Sequence, residues 1–289
     1  MRSRRPAVAV LGGSFDRLHA GHRALLDAGF AAAARVGIGL TTDEFLARHS
    51  KPFAARVQPY ATRRRCLETY LRRHYARSRW WIVPLSDPWG RSVERGVDLL
   101  IASVETARPA AAVNRERHRR GLRPVRLHLV DLVLAEDGLP VSSRRIRAGL
   151  IDANGRRRRA LRVRAWGVRA AELPHVRRAF RTVFPTLDTR VDRLPARSGS
   201  DPATRTSPRS RARGRAERSV EGADYAVAVV QSPRAAPRRG PGPSWIAIAS
   251  ARGTGVRPLV ARTPDRLERT IVAELRRGLP RSPIVPISG

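Results

Sequence analysis

At 289 residues the chain is long enough for two domains that each bury a core, and its single cysteine, Cys66, excludes an internal disulfide and fits a reducing cytosol. Basic side chains outnumber acidic ones 58 to 24, a formal charge of +34, but all except Lys51 are arginine, which favours a coding bias over selected nucleic-acid contacts. No apolar stretch approaches bilayer length, and Arg2-Ser3-Arg4-Arg5 leads into a short strand and Gly-Gly, so a cytoplasmic protein with neither membrane span nor signal peptide is expected.

Residues 7–152 alternate strand and helix patterns. Ala7–Leu11 is an apolar run fit for a buried parallel strand; a Gly12-Gly13 turn follows, and then a helical pattern over Ala20–Ala34. Further strands are predicted at Arg35–Leu40, Trp80–Pro84, Asp98–Ala102 and Arg126–Asp131. Helices are predicted at Pro59–Ala76 and Ala110–Arg120, with a shorter one beginning near Ser142. Such alternation predicts an α/β fold, a parallel sheet with helices on both faces that binds ligands at the carboxyl ends of its strands.

Near Asp152 the texture changes. Asn154-Gly155 followed by Arg156–Arg159 is a polar, charged joint, which divides the chain into domains at 1–152 and 153–289. The second, smaller part carries 30 basic and 10 acidic residues against 28 and 14 in the first, so it is the more basic because it has fewer acids. Its patterns again predict α/β structure: strands at Leu161–Gly167, Asp224–Val230 and Trp245–Ser250, helices at Leu173–Phe184 and Asp265–Arg277. Pro195–Gly222 and Gln231–Ser244, rich in Arg, Ser, Pro and Gly, are expected to be disordered basic loops, and the tail Pro280–Gly289 extended.

Two motifs in the first part carry chemistry. Gly12, Gly13, Ser14 and Phe15 follow the first strand, and His19-Ala20-Gly21-His22 opens the first helix. A helix start offers unpaired amides and a positive dipole end, and two imidazoles at i, i+3 share one side of the first turn. They can donate to phosphate oxygens without a lysine's fixed charge, and Gly21 is expected to clear a side chain from the phosphate's approach. Capping or packed histidines, or a zinc pair, are the alternatives; a zinc site would want further ligands, and the sequence shows no second cluster. Val141-Ser-Ser-Arg-Arg-Ile-Arg147 places hydroxyls and guanidinium groups together, suiting the outer phosphates of a triphosphate. Lys51 stands out because a compact point charge on a flexible stem is what arginine cannot imitate.

Gly-Gly-Ser-Phe-Asp with His19–His22, the stretch Lys51 to Arg65, Asp87-Pro-Trp-Gly90, Ser103–Thr106 and Ser142–Arg147 together resemble the nucleotidyltransferase superfamily. The detailed resemblance is to its archaeal and eukaryotic-type phosphopantetheine adenylyltransferases, over about residues 7–152. It implies a Rossmann-like domain that makes dephospho-coenzyme A and pyrophosphate from ATP and 4′-phosphopantetheine, with magnesium held by phosphates and water more than by a protein cage. Carried over by residue, His22 and Lys51 are catalytic. Gly13, Ser14, Phe15, His19, Gly21, His22, Ser142, Ser143 and Arg147 bind ATP, and Ser14 and Lys51 contact the acceptor. Arg144 stands where that family has threonine, which removes one hydroxyl contact. Asp16 is expected to shape the turn, and Asp87 to line the site or simply to form a turn.

In the second part, Trp166–Phe180, Arg205–Tyr225 and Asp224–Val230 resemble, more distantly, the archaeal inosine/xanthosine triphosphatases. Arg169-Ala170-Ala171-Glu172 replaces that family's Asn-Pro-x-Lys, and Val230 replaces a carboxylate. The resemblance therefore implies a degenerate, non-hydrolytic domain, with an unrelated basic appendage as the alternative. Two other functions compete for the whole chain. One is nucleotidyl transfer to another phosphorylated acceptor such as nicotinamide mononucleotide. The other is nucleic-acid binding by an Arg-rich protein with a vestigial nucleotide site, which the intact histidine and serine motifs disfavour.

Overall fold

The computed structural model describes residues 7–48, 57–194, 207–219, 223–231, 244–250, 253–259 and 263–278. The chain forms two compact units, Met1–Ala135 with Pro140–Arg156, and Glu136–Leu139 with Arg157–Gly289. The main break thus follows Arg156. Asp152 and its Asn-Gly turn stay with the first unit because the Asp152 carboxylate accepts the amides of Asn154 (2.8 Å) and Arg156 (2.9 Å), and the Ala153 carbonyl accepts the amide of Ala20 (2.9 Å).

The first unit is a five-stranded parallel sheet in the order β3-β2-β1-β4-β5, with β1 Val8–Gly13, β2 Arg35–Thr41, β3 Trp80–Leu85, β4 Leu99–Ser103 and β5 Arg126–Val130. Helices α1 (Ala20–Ala32), α2 (Asp43–Arg48), α3 (Tyr60–His74) and α4 (Ala107–Arg119) connect or flank the strands, and the short α5 (Ser143–Arg147) follows the sheet. Each strand expected in this half is present, within two residues at either end. Near-continuous apolar β1 and β2 sit at the centre because both of their faces are covered; Ala9, Leu11, Val36, Ile38 and Leu40 are all buried. Helix α2 escaped the sequence reading, since six residues carry no periodic signal. The Thr42 hydroxyl starts it by accepting the Phe45 amide (3.2 Å).

Strand β1 pairs with β2 along its whole length, from Val8 to Gly13, but with β4 only at Ala9 and Val10. Beyond Val10 the sheet therefore opens between β1 and β4, where the strand order reverses. In doubly wound sheets this is where ligands bind. Gly12 and Gly13 lie at that opening.

The second unit holds a mixed sheet in the order β10-β9-β8-β6-β7. Its elements are β6 Leu161–Trp166, α6 Leu173–Val183, β7 Thr189–Leu194, α7 Pro208–Ser219, β8 Tyr225–Gln231, β9 Ser244–Ser250, β10 Gly253–Leu259 and α8 Pro264–Gly278. Strand β6 runs parallel to β7 and β8, while β8, β9 and β10 are antiparallel neighbours. Residues 208–219 correct the sequence reading, because the expected basic loop contains α7. Its buried stripe is Ala212 and Ala216, packed with Ala226, Ala228, Ala247 and Ala249 of β8 and β9. Arginines cover the outside, with Arg215 over the Trp166 ring at 4.7 Å. The remainder of the expected loops, residues 195–206, 220–222 and 232–243, and the tail lie outside the described residues. Among the described residues no helix is long and apolar enough to cross a membrane.

Candidate active site

The loop leaving β1 has an unusual backbone. Phe15 and Arg17 both adopt the left-handed region, with φ of 46° and 49°, which non-glycine residues enter only when the surroundings hold them there. Three groups do so. Phe15 is buried in the core, Gln58 accepts the Arg17 amide (2.8 Å), and the Asp16 carboxylate accepts the Gln58 amide (3.0 Å). Beneath the loop lies Arg63 of α3, whose side chain is wholly buried. Its guanidinium donates to the carbonyls of Gln58 (2.7 Å), Ser14 (2.8 Å) and Thr41 (2.8 Å) and to the Asp43 carboxylate (2.7 Å). One planar fork thus ties the β1 loop, the end of β2 and the start of α2 to α3. Burial opposes ionisation of Asp43, but the Tyr60 amide and the Arg63 guanidinium outweigh it and lower its pKa.

His19 caps α1, its Nδ1 accepting the His22 amide at 3.4 Å. The two imidazoles stack with centroids 3.7 Å apart and planes 19° off parallel, and the Phe15 ring lies 5.0 Å from that of His22. Burial, reinforced by Arg23 and opposed by Asp16, lowers the His19 pKa to about 4. Burial, then His19 and Arg23, hold His22 well below its usual 6.5. Both rings are therefore neutral at neutral pH. His22 Nδ1 is buried with no hydrogen-bond partner, a polar atom whose acceptor or donor is missing.

Helix α5 docks onto this loop through Asp16. Ser143 Oγ donates to the Asp16 carbonyl at 2.8 Å, and the Arg147 guanidinium is ion-paired with the Asp16 carboxylate, both side chains being buried. Ser142 caps α5, its hydroxyl facing the Arg145 amide at 3.5 Å. Arg147 Nε is buried and unpartnered, like His22 Nδ1. Arg144 is exposed.

Gly13, Ser14, Phe15, His19, Gly21, His22, Ser142, Ser143 and Arg147 are thus brought to one region at the carboxyl end of β1. Lys51 lies outside the described residues. Two of these residues also serve packing. A Cβ on Gly21 would meet the His19 ring at 3.2 Å and the Val141 carbonyl at 3.5 Å, so this glycine lets the imidazole and the 141–147 segment lie close together. The Ser143 hydroxyl proton is engaged by Asp16, so Ser143 fastens α5 as well as facing the site. Asp87 forms a turn, accepting the Trp89 and Gly90 amides at 2.7 Å each.

Sequence reading missed Arg63, Gln58 and the pairing of Asp16 with Arg147. One buried arginine among many carries no signature of its own; a signal was available only in Asp16, a carboxylate next to an apolar core residue. Thr41 Oγ1, on a residue whose carbonyl accepts from Arg63, is a further buried polar atom without a partner. Among the described residues no three His, Cys, Asp or Glu side chains cluster to hold a metal ion.

Comparison with known proteins gives consistent matches. The family model described as cytidylyltransferase-like matches residues 10–149. A phosphopantetheine adenylyltransferase of Methanothermobacter thermautotrophicus is 39% identical over 153 residues, which cover 53% of this chain and 90% of that protein. A Methanosarcina barkeri protein of the same name is 40% identical over 155 residues, covering 52% and 92%. A Thermoplasma volcanium protein named bifunctional phosphopantetheine adenylyltransferase/NTP phosphatase is 38% identical over 157 residues, covering 54% of this chain and 46% of its own.

Proposed function

The chain belongs to the phosphopantetheine adenylyltransferase family, and on that premise we propose which of its residues carry the transfer. It is a nucleotidyltransferase of coenzyme A synthesis, moving AMP from ATP to 4′-phosphopantetheine. The acceptor's 4′-phosphate oxygen bonds to the α-phosphorus in line, the bond from that phosphorus to the bridging oxygen breaks, and pyrophosphate leaves with the electron pair. Dephospho-coenzyme A is the other product. No covalent enzyme intermediate is needed, so the protein's contribution is positioning and charge stabilisation.

One observation supports these roles above the others. Two polar atoms, His22 Nδ1 and Arg147 Nε, are buried without partners in motifs that Asp16 draws together. In this reading His22 meets the α-phosphate. The ring is neutral before ATP arrives; the incoming negative charge opposes the burial that holds it so, and favours a donating imidazolium as charge builds on phosphorus. His19 orients His22 by stacking and by accepting its amide, and so acts as a positioning residue. Arg147, with Ser142 and Ser143, faces the departing β,γ-phosphates. The Ser14 hydroxyl contacts the acceptor phosphate, with the Ser14 carbonyl fixed by Arg63. Lys51 is assigned to the same phosphate on its residue type alone.

The Asp16 carboxylate is engaged by Arg147 and the Gln58 amide. The described residues at the site therefore do not fit a divalent cation held by protein ligands. We take magnesium to arrive on the phosphates of ATP as part of the substrate, and no step is routed through it. The free, exposed Cys66 fits a reducing compartment, and we place the enzyme in the cytoplasm.

For the second unit we propose a nucleotide-hydrolase-like body that has lost hydrolysis. The turn between β6 and α6, where a phosphate would be cradled, is filled by its own acid. The Glu172 carboxylate is buried, accepts the Arg169 amide at 2.7 Å and pairs with the Arg169 guanidinium at 2.6 Å. An anion would have to displace that carboxylate. Incubating the full chain with inosine or xanthosine triphosphate tests this: no release of pyrophosphate is expected, and turnover would refute the reading. The adenylyl transfer is tested by product analysis with ATP and 4′-phosphopantetheine.

A further inference from the structure

The opposite end of the first unit's sheet carries a cavity of about 780 Å³, at the amino ends of β1, β4 and β5. Four arginines line it, Arg95, Arg117, Arg123 and Arg126, against one acid, Asp98. Asp98 is already engaged, its Oδ2 accepting the amides of Ala7 (2.9 Å) and Val8 (3.0 Å). Arg117 is 3% exposed. Its Nε donates to the Arg123 carbonyl (2.6 Å), and its Nη1 to the carbonyls of Ser92 (2.7 Å) and Glu94 (2.9 Å).

Every one of those partners is neutral. Among the described residues no carboxylate pairs with Arg117; the Glu94 side chain pairs with Arg91, and Glu116 with Arg119 and Arg120. A guanidinium taken out of water without a counter-charge is costly, and burial lowers the pKa of Arg117 accordingly. Carbonyls hold the group in place and leave the missing negative charge to come from solution. The cavity's size falls within the usual span of small-molecule sites, and Leu122, Pro124 and Val97 add apolar wall to its cationic rim. Several guanidinium forks around one hollow match the multiple oxygens of phosphate groups, which they can bind bidentately.

We propose that this cavity binds a small, multiply charged phosphate compound, a polyphosphate or phosphate ester of nucleotide size, at a site sharing no residue with the adenylyl-transfer centre. An extended nucleic acid fits less well, because the charge converges on a hollow and does not form a stripe.

Calorimetric titration of the full chain with inorganic tripolyphosphate at near-physiological salt tests this. Arg123→Ser/Arg126→Ser is the informative variant: both side chains are exposed, and the Arg123 carbonyl that holds Arg117 is retained. It is expected to bind one tripolyphosphate fewer than wild type while keeping adenylyl transfer. Arg95→Ser gives an independent reading, about tenfold weaker binding at that site for the loss of one charge-assisted contact. Arg72→Ser/Arg73→Ser on α3 removes the same charge from exposed positions that do not line the cavity and is expected to leave the isotherm unchanged. Wild-type stoichiometry and affinity in both cavity variants would overturn the proposal. So would an equal loss in the α3 variant, which would make the binding a matter of total charge. A third overturning result is loss of binding to a single-stranded RNA oligomer with tripolyphosphate binding unchanged.

Discussion

Asp16 and Arg147, 131 residues apart in sequence, form a buried ion pair that fastens α5 to the loop after β1. It joins the two motifs to which we assign phosphate handling, and it engages the Asp16 carboxylate. Removing one partner leaves the other as an uncompensated buried charge, worth about 3–5 kcal/mol. Asp16→Asn and Arg147→Met are each expected to lower the free energy of unfolding, measured by urea titration, by that order, and the double variant by clearly less than their sum. Additive losses would mean that the pair is not coupled.

His22→Ala is expected to lower kcat by about 10²–10³ while the KM for ATP changes by less than about threefold, because the role we propose for it lies in the transition state more than in ground-state binding. Steady-state kinetics with both substrates varied checks this. A rise in KM at unchanged kcat would move His22 into simple nucleotide binding.

The neutral histidine pair makes stability depend on pH. The unfolded chain takes up a proton on each imidazole near 6.5, whereas folded His19 does so only near 4. Between those values the unfolded state binds more protons, so stability is fully present above about pH 6.5 and falls as the pH drops toward 4. The loss from His19 is on the order of 3 kcal/mol. Urea midpoints at pH 7.5 and 5 should separate for wild type and draw closer in His19→Gln; an equal drop in both would show that His19 is not held neutral.

Arg63→Lys keeps the charge but loses the planar fork that reaches three carbonyls and the Asp43 carboxylate. A loss of about 3 kcal/mol is expected, together with a raised KM for the acceptor as Ser14 loosens. Thermal unfolding and kinetics measure both. Wild-type values would show that α3 does not hold the site.

What was legible in the sequence follows from packing. Strands β1 and β2 are apolar along nearly their whole length because helices cover both faces, and His19 to His22 stand where a strand meets a helix, so local pattern and site coincide. In the second unit, α7 was hidden because its buried stripe is alanine, too weak in hydrophobicity to emerge from surrounding arginines. Strand β10, with Gly253, Gly255 and Pro258, is an edge strand, where proline and glycine are tolerated. Strand β7 was also missed: it lies at the other edge, and only Thr189 among its residues is fully buried. Arg63 and the Asp16–Arg147 pair are products of tertiary approach, for which an Arg-rich sequence offers no local mark. The close approach of Val141 to Gly21 is likewise a tertiary contact with no local mark.

The most direct measurement is product analysis of the purified full chain with magnesium, ATP and 4′-phosphopantetheine, set beside the same reaction with nicotinamide mononucleotide as acceptor. Dephospho-coenzyme A and pyrophosphate in equal amounts, with no dinucleotide from the second acceptor, are the expected result. Folded protein that yields neither product from 4′-phosphopantetheine would contradict the assignment of His22, Arg147 and the β1 loop to adenylyl transfer.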